Sequence, residues 1–154
     1  MTKPTLQSVG KYEVLEEIGR GGMGTVFLGH DPFTDRDVAI KVAHPDALLD
    51  EHSGHRYRKL FFNEAKVTGM LRHPNIVEVY DAGFEEDSWY IVMEHVEGGH
   101  TLHQVTRPER LLPLPDLVHI IFTCAKALEY AHRKGVIPRD IKPKNVLLTQ
   151  TGEI

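Results

Sequence analysis

The sequence predicts an α+β fold: a five-stranded antiparallel sheet carrying one helix, followed by the beginning of a second, helical region. Three observations predict it. Apolar and polar residues alternate three times over before residue 42, the spacing then changes to that of a helix near residues 56–72, and a Gly-Gly break precedes a long apolar helical stripe.

The elements follow in order. Residues 1–11 read as an N-terminal tail. Tyr12, Val14 and Leu15 lead into a glycine-rich stretch, Val26 and Leu28 leave it, and Val38 and Ile40 make a third run with period two. After a polar stretch from His44 to His55, Leu60, Phe61, Val67 and Leu71 fall near one face of a helix that His73 and Pro74 should end. Two strands are expected at 76–80 and 89–94, with Asp81, Gly83, Glu86 and Asp87 forming the turn. The boundary between two lobes falls near Val96 to Gly99, so that residues 12–96 form the first lobe and 97–154 the start of a second. Past Pro108 and Pro113, the long helix carries Leu117, Ile120, Ile121, Cys124, Ala125 and Leu128. Pro115 and Asp116 suit its first turn, Arg133 and Lys134 its last, and Gly135 its left-handed stop.

Composition narrows the class. The chain has 154 residues, 41% apolar and 26% charged, with a net charge of -4, which is ordinary for a globular domain and lacks the basic excess of a nucleic-acid binder. Its one cysteine, Cys124, cannot form an internal disulfide, and a buried apolar role suits it. No apolar run approaches the ~18 residues of a membrane span, and the opening MTKPTLQSVG has no secretion-signal core, so a cytoplasmic location is expected. Ten histidines are present, and His52 with His55 or His100 with His103 could be imagined as metal ligands. Neither pair has the glutamate of a zinc-protease helix, and both read as exposed loop residues.

The chemistry lies in three strings. IGRGGMGTVFLG, from Ile18 to Gly29, contains Gly19, Gly21 and Gly24. The β-branched and aromatic run Thr25-Val26-Phe27 that follows favours a second strand over a helix, so the glycines cap a hairpin. Without Cβ atoms, their amides can approach phosphate oxygens. No GKT or GKS follows, which disfavours a Walker-type loop. Lys41 ends the apolar VAIK run, and Glu64 interrupts the apolar face of the helix. An isolated buried charge would cost about 3–5 kcal/mol, so the two are expected to pair and to aim the Lys41 ammonium at phosphates. The third string, RDIKPKN, puts Asp140, Lys142 and Asn145 on one loop: a proton acceptor, a cation to neutralise a transferring phosphoryl group, and an amide oxygen able to ligate magnesium.

Taken together, GRGGMGTV, VAIK, FFNEA, LRHPNIV, YIVMEHVEGG and RDIKPKN resemble, in order and spacing, the N-terminal half and catalytic loop of a eukaryotic-type protein kinase. The Gly-Gly-Met-Gly loop and Lys142 are similar to the serine/threonine branch, especially its bacterial members. The resemblance implies ATP and Mg2+ as cofactors and a protein with an acceptor Ser or Thr as partner. It also implies roles: Lys41 on the α- and β-phosphates with Glu64 as its partner, Asp140 as catalytic base, Lys142 on the transferred phosphate and Asn145 on one magnesium ion. The Glu94 carbonyl and Val96 amide would pair with adenine, Ile18, Val26, Ala39 and Leu147 would sandwich the ring, and Met93 would be the gatekeeper.

Two departures from the pattern carry expectations of their own. Pro138 stands where the family usually has His, which removes a ring and a backbone donor that help hold the catalytic loop. The sequence also ends at Ile154, before the Asp-Phe-Gly segment that supplies the principal magnesium ligand, so these residues alone are expected to turn over little. The strand at Val146 to Leu148 is expected to pair beyond Ile154, and the stripe of the long helix to lie exposed. A nucleotide-binding pseudokinase or scaffold is the alternative reading, and a small-molecule kinase of related fold a third.

Overall fold

Side-chain alternation organises the first part of the chain. The computed structural model describes residues 7–22, 24–44, 54–85, 88–106, 109, 111–138 and 140–154, with position 64 described for its backbone only. The chain divides into two units, Met1–Met70 with Val77–His95, and Leu71–Ile76 with Val96–Ile154.

In the first unit, β1 (Ser8–Val9), β2 (Tyr12–Gly21), β3 (Gly24–Asp31), β4 (Arg36–Val42), β5 (Val79–Glu85) and β6 (Ser88–Glu94) form an antiparallel sheet in the order β1-β2-β3-β4-β6-β5. Because successive strand residues point to opposite faces, Val38, Ile40 and Val42 pack with Val9, Tyr12, Val14 and Val92 on one side. Ala43 and Ile91 instead join Phe61 and Ala65 of α1 (Gly54–Thr68) on the other. β1 adds a sixth, two-residue strand to the five expected, and it does so by burying Val9 against β2.

Three boundaries differ from the sequence expectation. The fourth long strand runs over Val79–Glu85 rather than 76–80, which brings Asp81 and Gly83 into the sheet. The physical reason is the partner strand: Gly83 lies opposite Tyr90, and a Cβ at position 83 would stand 2.4 Å from the Tyr90 hydroxyl. Asp81 is held there by the Tyr12 hydroxyl, which donates to Oδ2 at 2.9 Å. Glu86 and Asp87, expected in the turn, lie outside the described residues. α1 ends at Thr68, before His73 and Pro74, because Thr68 and Gly69 are poor helix formers and Leu71 packs instead with Ala131 and Val136. Its buried face is Phe61 and Ala65, one turn apart, while Leu60 and Val67 are exposed.

The second unit contains β7 (His100–Thr101), α2 (Leu102–Val105), α3 (Leu114–Arg133), a 3₁₀ turn at Pro143–Asn145 and β8 (Leu147–Leu148). β8 pairs antiparallel with β7, so the strand expected to find its partner beyond Ile154 finds one within the chain. α3 starts with Pro115 in its first turn and stops as expected. The Gly135 N–H donates to the His132 carbonyl at 2.9 Å and the Val136 N–H to the Ala131 carbonyl at 2.9 Å, with Gly135 at φ 76. Ile120, Ala127 and Ala131 are its buried residues. Ile121 and Ala125, placed on the stripe by periodicity, are exposed, as are Val118 and Phe122. His100 and His103 sit in β7 and α2 rather than in a loop, and His55 lies in the first turn of α1, while His52 is outside the described residues.

Candidate active site

The register of the sheet decides which residues share a face. Cross-strand partners lie on the same side, and Gly19 pairs with Val26, Val26 with Lys41, and Lys41 with Ile91. The adjacent row is Leu28, Ala39 and Met93. Four residues singled out in the sequence, Val26, Ala39, Lys41 and Met93, therefore lie on one face, opposite the face that carries Val38, Ile40 and Val42. Leu28 and Ile91 join them. Sequence reasoning missed both, since alternation sets the period of a strand but not its register against a neighbour.

Lys41 is half-buried, and its Nζ lies 5.9 Å from the centroid of the Phe61 ring of α1. The backbone of residue 64 is in α1, one turn beyond Phe61, but the Glu64 side chain lies outside the described residues. Ile18 sits in β2 at a register shift between Glu17 and Gly19 and is 45% exposed, which leaves its side chain open to a ligand. Gly21 and Gly24 pair at the end of the β2–β3 hairpin, confirming the turn between strands. A Cβ on Gly24 would stand 2.3 Å from the Val42 carbonyl oxygen, whereas one on Gly21 or Gly22 would meet nothing within 4 Å. The hairpin tip is thus tight against β4 at its second strand and open at its first. His44 was not singled out from the sequence, yet its Nε2 donates to the Gly21 carbonyl at 2.9 Å.

At the end of β6, the Glu94 N–H donates to the Glu78 carbonyl at 2.8 Å, and Glu94 Oε2 accepts from the Glu78 N–H at 3.2 Å. In the second unit, the Val96 carbonyl accepts from Gly99 at 3.0 Å. Leu147 is half-buried in β8 opposite Thr101.

The loop after α3 gathers Lys142 and Asn145 around the Asp140 carboxylate. Lys142 Nζ lies 2.6 Å from Asp140 Oδ2. Asn145 Nδ2 donates to the Asp140 carbonyl at 2.8 Å and to Oδ2 at 3.2 Å. The 3₁₀ turn is closed by the Asn145 N–H on the Lys142 carbonyl at 2.8 Å, and Pro143 at its first position needs no donor. The Asn145 NH₂ is thus committed to Asp140. Pro138 is half-buried, and Arg139 lies outside the described residues.

Charge at the sheet edge is arranged locally. Burial raises the Asp31 carboxyl, but hydrogen bonds from the Phe33 N–H, Thr34 and Lys11 outweigh it and hold the group below its ordinary value. Burial, then the bond to Asp81, pushes the Tyr12 phenol well above its ordinary value. Among the described residues, no group of three or more His, Cys, Asp or Glu is placed to hold a metal, and no helix is long and apolar enough to cross a membrane.

The protein kinase domain family matches residues 12–154, and the chain belongs to that family. It is 40% identical over 145 residues to the serine/threonine-protein kinase PrkC of Bacillus subtilis, covering 94% of this chain and 22% of that protein. It is 37% identical to the serine/threonine-protein kinase PknB of Mycobacterium leprae, covering all of this chain and 24% of the relative. The crystal structure of the Mycobacterium tuberculosis PknI kinase domain superposes with a TM-score of 0.78 at 32% identity, covering 97% of this chain and 60% of that one. The chain thus spans about a fifth to a quarter of these curated relatives' length.

Proposed function

We propose that these residues form the nucleotide-binding and catalytic-loop part of an ATP-dependent protein serine/threonine kinase acting in the cytoplasm. The observation that carries this reading is the Asp140, Lys142 and Asn145 cluster, in which an ammonium lies 2.6 Å from a carboxylate that an amide also holds. Phosphoryl transfer asks a protein mainly for positioning and charge neutralisation, and this loop supplies both. Asp140 accepts the proton of the substrate hydroxyl. Lys142 leaves its contact with Asp140 to meet the transferred phosphoryl oxygens, and Asn145 keeps the Asp140 loop in shape.

Lys41 binds the α- and β-phosphates in partnership with Glu64; the approach of its Nζ to Phe61, one turn before position 64, supports this pairing. Gly19, Gly21 and Gly24 cover the phosphates. In the first unit Ile18, Val26 and Ala39 contact the adenine, with Met93 as gatekeeper and the Glu94 carbonyl pairing with the base; in the second, the Val96 amide and Leu147 are assigned to the same ligand. Magnesium suits the donor set, because it takes hard oxygen ligands, keeps several waters and asks a protein for few groups; Asn145 Oδ1 would be one of them. When bound, it would neutralise charge on the phosphates. Residues 1–154 contain no Asp-Phe-Gly, so taken alone they turn over little.

The test is phosphorylation of a generic protein substrate by the longest natural protein containing these residues, with Asp140→Asn as control. Incorporation into Ser or Thr that the variant loses is the expected result. Pro138 favours the pseudokinase reading, and equal signal from both proteins alongside retained nucleotide binding would establish it.

A further inference from the structure

The glycine hairpin has little to hold its tip. Gly21 and Gly22 have open space where side chains would sit, and glycine loses more conformational freedom on ordering than any other residue. Yet the Gly21 carbonyl has a definite partner, His44, two residues beyond the end of β4. A carbonyl oxygen only accepts, so the Nε2 of His44 carries the proton; the bond forms with the neutral ring in that tautomer and with the cation alike. Gly24, on the other side of the turn, is pressed against the Val42 carbonyl of the same strand end. The end of β4 therefore grips both strands of the hairpin, through backbone on one side and through an imidazole on the other.

The consequence concerns an amide. The peptide joining Gly21 to Gly22 is trans, so its carbonyl and the Gly22 N–H point in opposite directions. Fixing the carbonyl on His44 fixes the plane of that peptide and the direction of the Gly22 N–H. We propose that His44 is a positioning residue of the phosphate flap: it sets the Gly21–Gly22 peptide so that the Gly22 amide is held ready for a nucleotide phosphate oxygen. The proposal rests on the nucleotide reading of the hairpin given above.

The test uses His44→Leu, which removes the donor, and His44→Gln, whose side-chain amide nitrogen can reach the same carbonyl. Three readouts are taken on the chain: amide hydrogen exchange of residues 19–22, affinity for ATP with Mg2+ by calorimetry, and the urea unfolding midpoint. His44→Leu is expected to speed exchange at the tip and to weaken ATP binding by about three- to tenfold, with the unfolding midpoint unchanged. His44→Gln is expected to restore most of both. Wild-type exchange and affinity in His44→Leu, or equal impairment in the two variants, would overturn the proposal. A wild-type chain that binds no ATP, while His44→Leu still loosens the tip, defeats the nucleotide reading itself and leaves only the tether.

Discussion

Val26 and Lys41 are cross-strand partners in β3 and β4, and this one pairing sets an ammonium beside an apolar side chain on the face of the sheet that α1 covers. Lys41 is half-buried there, with Nζ 5.9 Å from the centroid of the Phe61 ring. Lys41→Met keeps a stem of similar length and removes the charge. We expect affinity for ATP with Mg2+ to fall about tenfold or more, the value of a charge-assisted contact. Unchanged affinity by calorimetry would remove Lys41 from the phosphate site.

The glycines of β2 and β3 separate packing from function. A Cβ on Gly29 would stand 2.3 Å from Ile40 Cδ1 and 2.8 Å from the Glu13 carbonyl oxygen, and Ile40 is fully buried. Gly29→Ala should destabilise the fold by about 1–3 kcal/mol, as overpacking does. Gly21→Ala meets open space and should stay within about 0.5 kcal/mol. Urea unfolding of the two variants side by side checks the contrast, and equal losses would contradict it.

Why some of this was legible in sequence and some was not has a physical answer. Val38 and Ile40 announced a strand because period two needs only local alternation, and Gly135 announced a helix stop because the left-handed position needs a glycine. The span of β5 was misplaced because Gly83 and Asp81 look like turn residues until Tyr90 and Tyr12 stand against them, and both partners are distant in sequence. Ile121 and Ala125 lie exposed, as expected of the α3 stripe, whereas Ala131 of the same helix is buried with Leu71 and Val136, and Leu71 is distant in sequence. The Asp140 loop is legible from residue types alone, because Asp140 and Asn145 are only five positions apart. His44 gave no signal, since its role depends on where the hairpin tip ends.

The β3–β4 turn predicts a pH dependence. His30 Nδ1 lies 3.0 Å from Asp37 Oδ1 and its Nε2 3.3 Å from Asp35 Oδ1, so both ring nitrogens face carboxylates. The hydrogen bond to Asp37 outweighs partial desolvation and raises the imidazole above its ordinary value of 6.5. A histidine whose folded value is raised stabilises the native state fully below the unfolded value, and that contribution is lost as pH rises through the folded one. Urea midpoints taken from about pH 6 to about pH 8.5 should therefore decline more steeply in the wild type than in His30→Gln. Parallel profiles would show that the ring gains nothing from Asp35 and Asp37.

Gly135 offers the cleanest measure of backbone strain in the second unit. Its φ is 76, a left-handed value, and a Cβ placed there would meet nothing within 4 Å. Substitution changes no contact, so the cost of Gly135→Ala is conformational alone, about 1–2 kcal/mol. Gly135→Asn should lose less, because asparagine tolerates the left-handed region better than other side chains. The order Gly, Asn, Ala in unfolding midpoint is the expected result. If alanine matched glycine, the hydrogen bonds from Gly135 and Val136 to His132 and Ala131 would have to survive with residue 135 outside the left-handed region, and the stop of α3 would need a different explanation.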